Sequence, residues 1–502
     1  MSKPDRCICI HGHFYQPPRE NPWTGRVEAQ PSAAPFHDWN ARITDECYRP
    51  NGESRILDDE DQVEAVVNNY ASISFNFGPT LLAWLEAHAP MAYARILLAD
   101  RDSAALFGDH GSALAQAYSH MIMPLADDRD LRTQVLWGME DFRHRFGREP
   151  EGMWLPETAV DIPTLEEMAG AGILFTILEP GQASRFREIG QEEWQEVAEG
   201  GIDPSRPYTV HLPSGRSMAL FFYDGPISRG VAFENLLDDG TVFAERLMSG
   251  FDDSRNRAQL AHIATDGESY GHHHRHGDMA LAFALRRIRR DKEARTVNYG
   301  QYLELHPPDH EVEIHENTAW SCAHGIERWR SDCGCETGLN QDWNQAWREP
   351  LRKALDRLRD RLRLPFEAAG AALYHDPWLA REDYIRVILA PGKDSEDRFL
   401  AQHASAFLDE DRRSRALDLM ELQHHAMLMF TSCGWFFDDL AGLEGVQILR
   451  YAGRAIQLAE HLFGDDFTEP FLVDLEPAVS NDPVNGNGRQ LFEREVAPLS
   501  SR

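Results

Sequence analysis

The stretch LAHIATDGE, residues 260–268, decides how the chain is read. A short apolar run of strand length, 260–264, ends in Asp266, Gly267 and Glu268, and a helical segment follows. Working outward, the same pattern recurs. Residues 7–10 precede His11 and His13, 73–75 precede Asn76 and Gly78, and 104–107 precede Asp109 and His110. Residues 153–155 precede Glu157, 173–178 precede Glu179, and 218–223 precede Asp224. Continuous apolar runs are what strands buried on both faces of a parallel sheet look like. Polar residues at their C-terminal ends are what a barrel enzyme presents on its catalytic face. The seven runs predict a parallel α/β barrel or an incompletely closed relative of one.

The pattern is interrupted at 17–70, a long insertion rich in Pro, Asn, Asp and Glu that carries Trp23, Trp39 and Tyr48. Insertions of that length serve as lids or binding loops, or simply pack on the surface. Beyond about 345 the period changes. Leu351, Leu355, Leu358 and Leu362 repeat at helical spacing, as do Leu449, Ala452, Ile456, Ala459 and Phe463. The expected organisation is a catalytic barrel over 1–345, an α-helical domain over 346–466 and an irregular tail over 467–502, whose turn residues include Asn485 to Gly488.

Composition narrows the function. Fifty Lys and Arg against 82 Asp and Glu leave a net charge of −32 in 502 residues. Such a field repels phosphate backbones and anionic membranes and tolerates a neutral ligand. No apolar stretch approaches a membrane span, and the N-terminus lacks the apolar core of a signal peptide. Seven cysteines, an odd number in a long chain, point to a reducing compartment. The expectation is a cytoplasmic protein without nucleic-acid or membrane partners.

Two carboxylates stand out. Glu157 follows Trp154-Leu-Pro156 at a stiff strand end, and Asp266 ends the strand quoted first. Two acids flanking one sugar-sized pocket are the minimal apparatus for breaking a glycosidic bond, provided one keeps its proton. His11 and His13 are expected where the first strand opens into its loop, not sharing one strand face, with roles in sugar binding, metal ligation or structure all open to them. His120 sits in an apolar setting that suits a satisfied core residue. His272, His273, His274 and His276 read as a solvated helix start. Cys322, His324, Cys333 and Cys335 lie close in sequence and suit either a tetrahedral zinc site or a loop of ordinary reduced thiols. Trp320, Arg328 and Trp329 around them offer the apolar face and the donor that a sugar ring uses.

Taken together, HGHFYQP (residues 11–17), WLPE (154–157) and TDGE (265–268) resemble the ordered motifs of glycoside hydrolase family 57, in the branch that carries an uncharacterised helical domain after the barrel. MLMFTSCGWFFD (427–438) resembles that domain. The resemblance implies an incomplete (β/α)7 barrel and a retaining hydrolase or transglycosidase on α-glucans, of amylase, 4-α-glucanotransferase or branching-enzyme type, with no cofactor and no metal at the catalytic site. It makes Glu157 the nucleophile and Asp266 the acid/base. His11, His13 and Gln16 match the motif that lines the donor subsite. Trp154, His120 and the segment holding Trp320, His324, Arg328 and Trp329 are assigned to substrate binding. The expected partner is an oligo- or polysaccharide. Two other readings compete: a metal-dependent hydrolase like the polysaccharide deacetylases, using His11, His13, Asp109 and His110 around an activated water, and a non-catalytic glucan-binding protein.

Overall fold

The structure, a computed structural model, describes residues 4–58, 60–198, 201–338, 340 and 342–500. Seven parallel strands organise the first part of the chain: β1 (Arg6–Phe14), β2 (Ser74–Phe77), β3 (Ala115–Gln116), β4 (Met153–Trp154), β5 (Phe175–Leu178), β6 (Ser217–Phe222) and β7 (Gln259–Asp266). β1 is the hub. It pairs along its length with β7, in register from Arg6 opposite Gln259 to His13 opposite Asp266, and its far end pairs with β2. Parallel bridges carry the order on from β2 to β3 and from β4 to β5, and ladders join β3 to β4 and β5 to β6. Among the described residues no ladder joins β6 to β7; Asp224 N donates to His262 O across that seam at 2.8 Å. The ring is therefore an incompletely closed seven-stranded barrel.

Burial explains the apolar runs. All but the first residue of β1 are buried, as are all four residues of β5. Helices return the chain between strands, several started by an aspartate whose side chain takes up the orphan N–H groups of the first turn. Asp161 accepts from Thr164 N before Ile162–Gly170, and Asp224 accepts from Ile227 N before Gly225–Phe233. β6 also pairs antiparallel with Tyr208–His211, which links it to a small, largely antiparallel extension containing Ala183–Glu188 and His310–Ile314.

Three expectations are corrected here. Residues 104–107 are not a strand; they finish the helix Pro90–Leu106. Leu106 is 58% exposed while Ser103 and Phe107 are buried, a helical alternation that a four-residue apolar run cannot reveal. The third strand is Ala115–Gln116, too short to carry a period. The insertion 17–70 is not a bare loop, since it holds the helix Trp39–Ile43, a π-helical turn Thr44–Tyr48 and the hairpin Ser54–Leu57 with Val63–Val67. The tail is not irregular either: it contains the helices Thr468–Leu475 and Gly488–Glu495, the second begun by a capping box between Asn487 and Gln490.

The chain divides into two compact units, one of residues 1–16, 29–116 and 145–316 and one of 17–28, 117–144 and 317–502, so the division falls nearer 316 than 345. The second unit is helical. Leu351, Leu355, Leu358 and Leu362 form the buried stripe of Arg348–Leu373, and Leu449, Ala452, Ile456 and Ala459 that of Leu443–Phe463. The residues 385–389 form a short helix, Ile385–Leu389. Among the described residues no helix is long and apolar enough to cross a membrane.

Candidate active site

Glu157 is held by a strained turn. Its φ and ψ are 57° and 20°, and Thr158 after it also has positive φ at 52°. Two successive non-glycine residues in the left-handed region persist only where surroundings over-determine them, and such strain collects at functional sites. Here Thr158 N donates to Leu155 O, Ala159 N to Pro156 O, and the buried Gln182 donates to Thr158 O, each at 2.9 Å. The half-buried carboxylate of Glu157 is thereby fixed just past the end of β4.

Asp266 ends β7 next to His13 in the β1–β7 register, and its tip reaches solvent. The protein surrounding it, and then the negative charge of Glu157, push its pKa up to about 7. That coupling brings the two acids into one electrostatic neighbourhood although more than a hundred residues separate them. Neither effect is relieved by a cation; no Lys or Arg figures among the causes of the shift. A carboxyl in that state is part protonated at neutral pH and can donate.

A third acid lies close enough to Asp266 to feel its charge. Glu268 is buried, and desolvation followed by the charge of Asp266 raises its pKa to about 8. Tyr48 OH donates to its Oε1 at 2.5 Å, and Tyr15 N to the same oxygen at 3.1 Å. Between the two acids Gly267 lies under Phe14, whose ring is 2.2 Å from where a Cβ would stand. Glycine is required there by that close approach. Phe14 in turn stacks on Phe77 with centroids 4.7 Å apart. Tyr223, just past the end of β6, is buried and lies near enough to Glu179 and Asp266 to feel their charges.

His11 and His13 do share a face, contrary to the expectation. Both lie within β1, and a two-residue strand period puts i and i+2 on one side. Their rings stack on Trp154 at 4.8 and 5.1 Å, and both bond to Asn76 of β2, His11 Nε2 at 3.0 Å and the His13 ring through Asn76 Nδ2 at 2.9 Å. Asn76 Nδ2 also donates to Gln116 Oε1 at 2.7 Å. Burial lowers both histidine pKa values to about 3, so both rings are neutral near pH 7. His11 and Trp154 are fully buried. His13, 3% exposed, is the histidine nearer Asp266 along β1. Gln16 is half-buried and donates to Tyr15 O at 2.9 Å.

The remaining sequence candidates fall in the second unit. His120 is fully buried, with Nδ1 2.6 Å from Ser432 Oγ, as a satisfied core residue is. Trp329 is fully buried, and Arg328 lies over Phe436 at 4.4 Å and donates to its carbonyl at 2.9 Å. Both belong to the packing of that unit and offer no open face to a sugar. Trp320 is half-buried and His324 exposed. Cys322, His324, Cys333 and Cys335 converge, with one ligand atom from each all within 4.8 Å of one another.

Asp109 and His110 come before β3, not after a strand. His110 is taken up by Glu151 at 2.8 Å and Glu304 at 2.7 Å. Among the described residues they form no ligand group with His11 and His13, which removes the support for a metal-activated water there. Tyr48, Asn76, Gln116, Tyr223 and Glu268 were absent from the predicted site. For Asn76 and Glu268 a signal was present, since both follow apolar runs. Tyr48 stood out only as an aromatic of the insertion, with nothing to link it to Glu268.

Residues 109–315 match the model of glycosyl hydrolase family 57, a span that contains Glu157 and Asp266, and residues 343–501 match a domain of unknown function (DUF3536). Alpha-amylase 1 of Dictyoglomus thermophilum is 23% identical over 202 residues, 40% of this chain but only 26% of the relative's length. The exo-type maltose-forming amylase of Pyrococcus sp. ST04 has a TM-score of 0.72 at 15% identity, covering 93% of this chain and 82% of that one. A family 57 type branching enzyme of Pyrococcus horikoshii has a TM-score of 0.54 at 16% identity, covering 99% and 96%. At these identities the solved structures speak for the fold.

Proposed function

We propose that this chain, whose residues 109–315 belong to glycosyl hydrolase family 57, is a retaining glycosidase or transglycosidase of α-glucans that works through Glu157 and Asp266. The observation that carries the reading is the coupled pair: Asp266 held up to about 7 by enclosure and by the charge of Glu157. Two acids whose surroundings drive their protonation apart divide into a donor and a nucleophile. The strained seat of Glu157, the neutral His13 and the amylase and branching-enzyme relatives support it further.

In the first step the Glu157 carboxylate bonds to the anomeric carbon while the bond to the departing sugar breaks, and Asp266 gives its proton to the departing oxygen. Asp266, now ionised, then takes a proton from water or from an acceptor sugar hydroxyl. The oxygen so activated bonds to the anomeric carbon and releases Glu157. Two displacements on one carbon return the starting α configuration. His13, with Tyr15 and Gln16 after it, lines the donor side, and His11 and Trp154 hold His13 in place.

Product analysis on maltooligosaccharides, glycogen and pullulan tests the reading and separates hydrolysis, transfer and branching. New α-linked products, or free sugars released first as the α-anomer, are expected. Release of the β-anomer, or binding without turnover on all three substrates, would sink it.

A further inference from the structure

Cys322, His324, Cys333 and Cys335 lie between the two matched segments, so neither family model accounts for them. Their ligand atoms come from two separate arms, 322–324 and 333–335. A zinc ion binds thiolate at about 2.3 Å and imidazole at about 2.0–2.1 Å, so tetrahedral geometry sets sulfur–sulfur edges of about 3.8 Å and sulfur–nitrogen edges of about 3.6 Å. Here Cys335 Sγ lies 3.7 Å from Cys322 Sγ and 3.6 Å from His324 Nδ1. Two of the six edges thus have the lengths of a zinc tetrahedron, and all six ligand-atom pairs lie within 4.8 Å. A disulfide would need its sulfurs about 2.05 Å apart, and all three thiols are free.

The backbone is shaped for chelation. A Cys-x-Cys pair can reach one ion only if the residue between turns sharply, and Gly334 has φ of +77° with nothing within 4 Å of a Cβ position. Glycine stands there for its left-handed conformation and not for want of space. Gly325 after His324 is also left-handed, at φ +84°, where a Cβ would in addition stand 2.3 Å from Asn317 O, and it closes a turn in which Gly325 N donates to Cys322 O at 3.1 Å. The fully buried Arg348 donates to Cys335 O at 2.9 Å, holding the second arm and setting a positive charge beside a zinc–trithiolate group. Among the described residues of 317–342 the regular structure is one short 3₁₀ turn, Glu327–Trp329. A cross-link is what such a segment lacks.

We propose that Cys322, His324, Cys333 and Cys335 form a closed structural zinc site that staples this segment within the helical unit and so seats Arg328 and Trp329. All four positions are filled by protein, which leaves no open position for catalysis. The assignment is independent of the glucan reading. The test uses the full chain, expressed with zinc available and purified without chelator. A single bound zinc per chain is expected by elemental mass spectrometry, and Cys333→Ser and Cys335→Ser are expected to lose it. Because those variants can misfold, cobalt exchange into the unmodified chain gives a second reading: a thiolate-to-cobalt charge-transfer band with intense tetrahedral ligand-field bands. Chelation is expected to lower the melting temperature while Glu157→Ala leaves zinc content unchanged. A zinc-free protein that gives no cobalt–thiolate band, or peptide mapping that finds Cys322 and Cys335 in a disulfide, would overturn the assignment.

Discussion

The acids of the two units are treated in opposite ways. Asp130 in the helical unit is 4% exposed and bonds to Arg381 Nη1 at 2.7 Å, with Arg381 itself fixed by Gln423 at 3.1 Å and lying over Trp378. Desolvation raises the pKa of Asp130, and the cation works against it. In the barrel, Asp266 and Glu268 have no cation among the causes of their shifts and are surrounded by each other, Glu157 and Tyr48. An acid enclosed with a cation serves structure. An acid enclosed without one is a proton held ready, at a cost in stability.

The largest test of that contrast is Glu157→Ala. Turnover should fall by about 10⁴-fold or more while the melting temperature holds, as removal of a nucleophile does; a variant that keeps a tenth of its activity would break the assignment. Next, Asp266→Asn should lower the rate on glucans by about 10²–10⁴-fold and spare substrates with good leaving groups, which need no proton in the first step. In the unmodified enzyme kcat/KM should decline above about pH 7, where Asp266 loses its proton. An alkaline limb that survives in Asp266→Asn would assign it to another group.

Arg381→Ala converts the structural acid into the other kind. Stripping the cation from a buried pair costs about 3–5 kcal/mol, read by denaturant unfolding. Asp130 would then have a folded pKa further above its unfolded one. Between those values the unfolded state has already released the proton that the folded state keeps, so stability falls as pH rises. The loss should be smaller near pH 4 than at pH 7, and a pH-independent loss would contradict the comparison. The smallest expected effect is Glu268→Gln, which keeps an acceptor for Tyr48 and removes the need to hold a proton. By the same sign, native Glu268 costs stability increasingly from its ordinary pKa near 4.5 up to about 8. The variant should gain stability at pH 8 and nothing near pH 4, measured as melting temperature across that range.

How much was legible depended on length and on partners. Six of the seven barrel strands announce themselves because parallel strands buried on both faces must be apolar throughout. β3 does not, since one of its two residues is the polar Gln116, and the run at 104–107 took its place by imitating a strand at a helix end. The helix Gly488–Glu495 was hidden by the turn residues Asn485 to Gly488, of which Asn487 is its N-cap. Arg328 and Trp329 read as a sugar platform because composition records an aromatic and a donor, while burial, which decides against it, is a property of the fold.

By itself the sequence determined the layered parallel architecture, the helical stripes of the second unit and the candidacy of Glu157 and Asp266, because each is written in local period or in a short motif. Only the tertiary structure decided what those acids experience. The shift of Asp266 comes from enclosure and from a charge more than a hundred residues away, and the neutrality of His11 and His13 from burial. Desolvation and Coulomb interaction depend on distance in space, which no spacing along the chain contains.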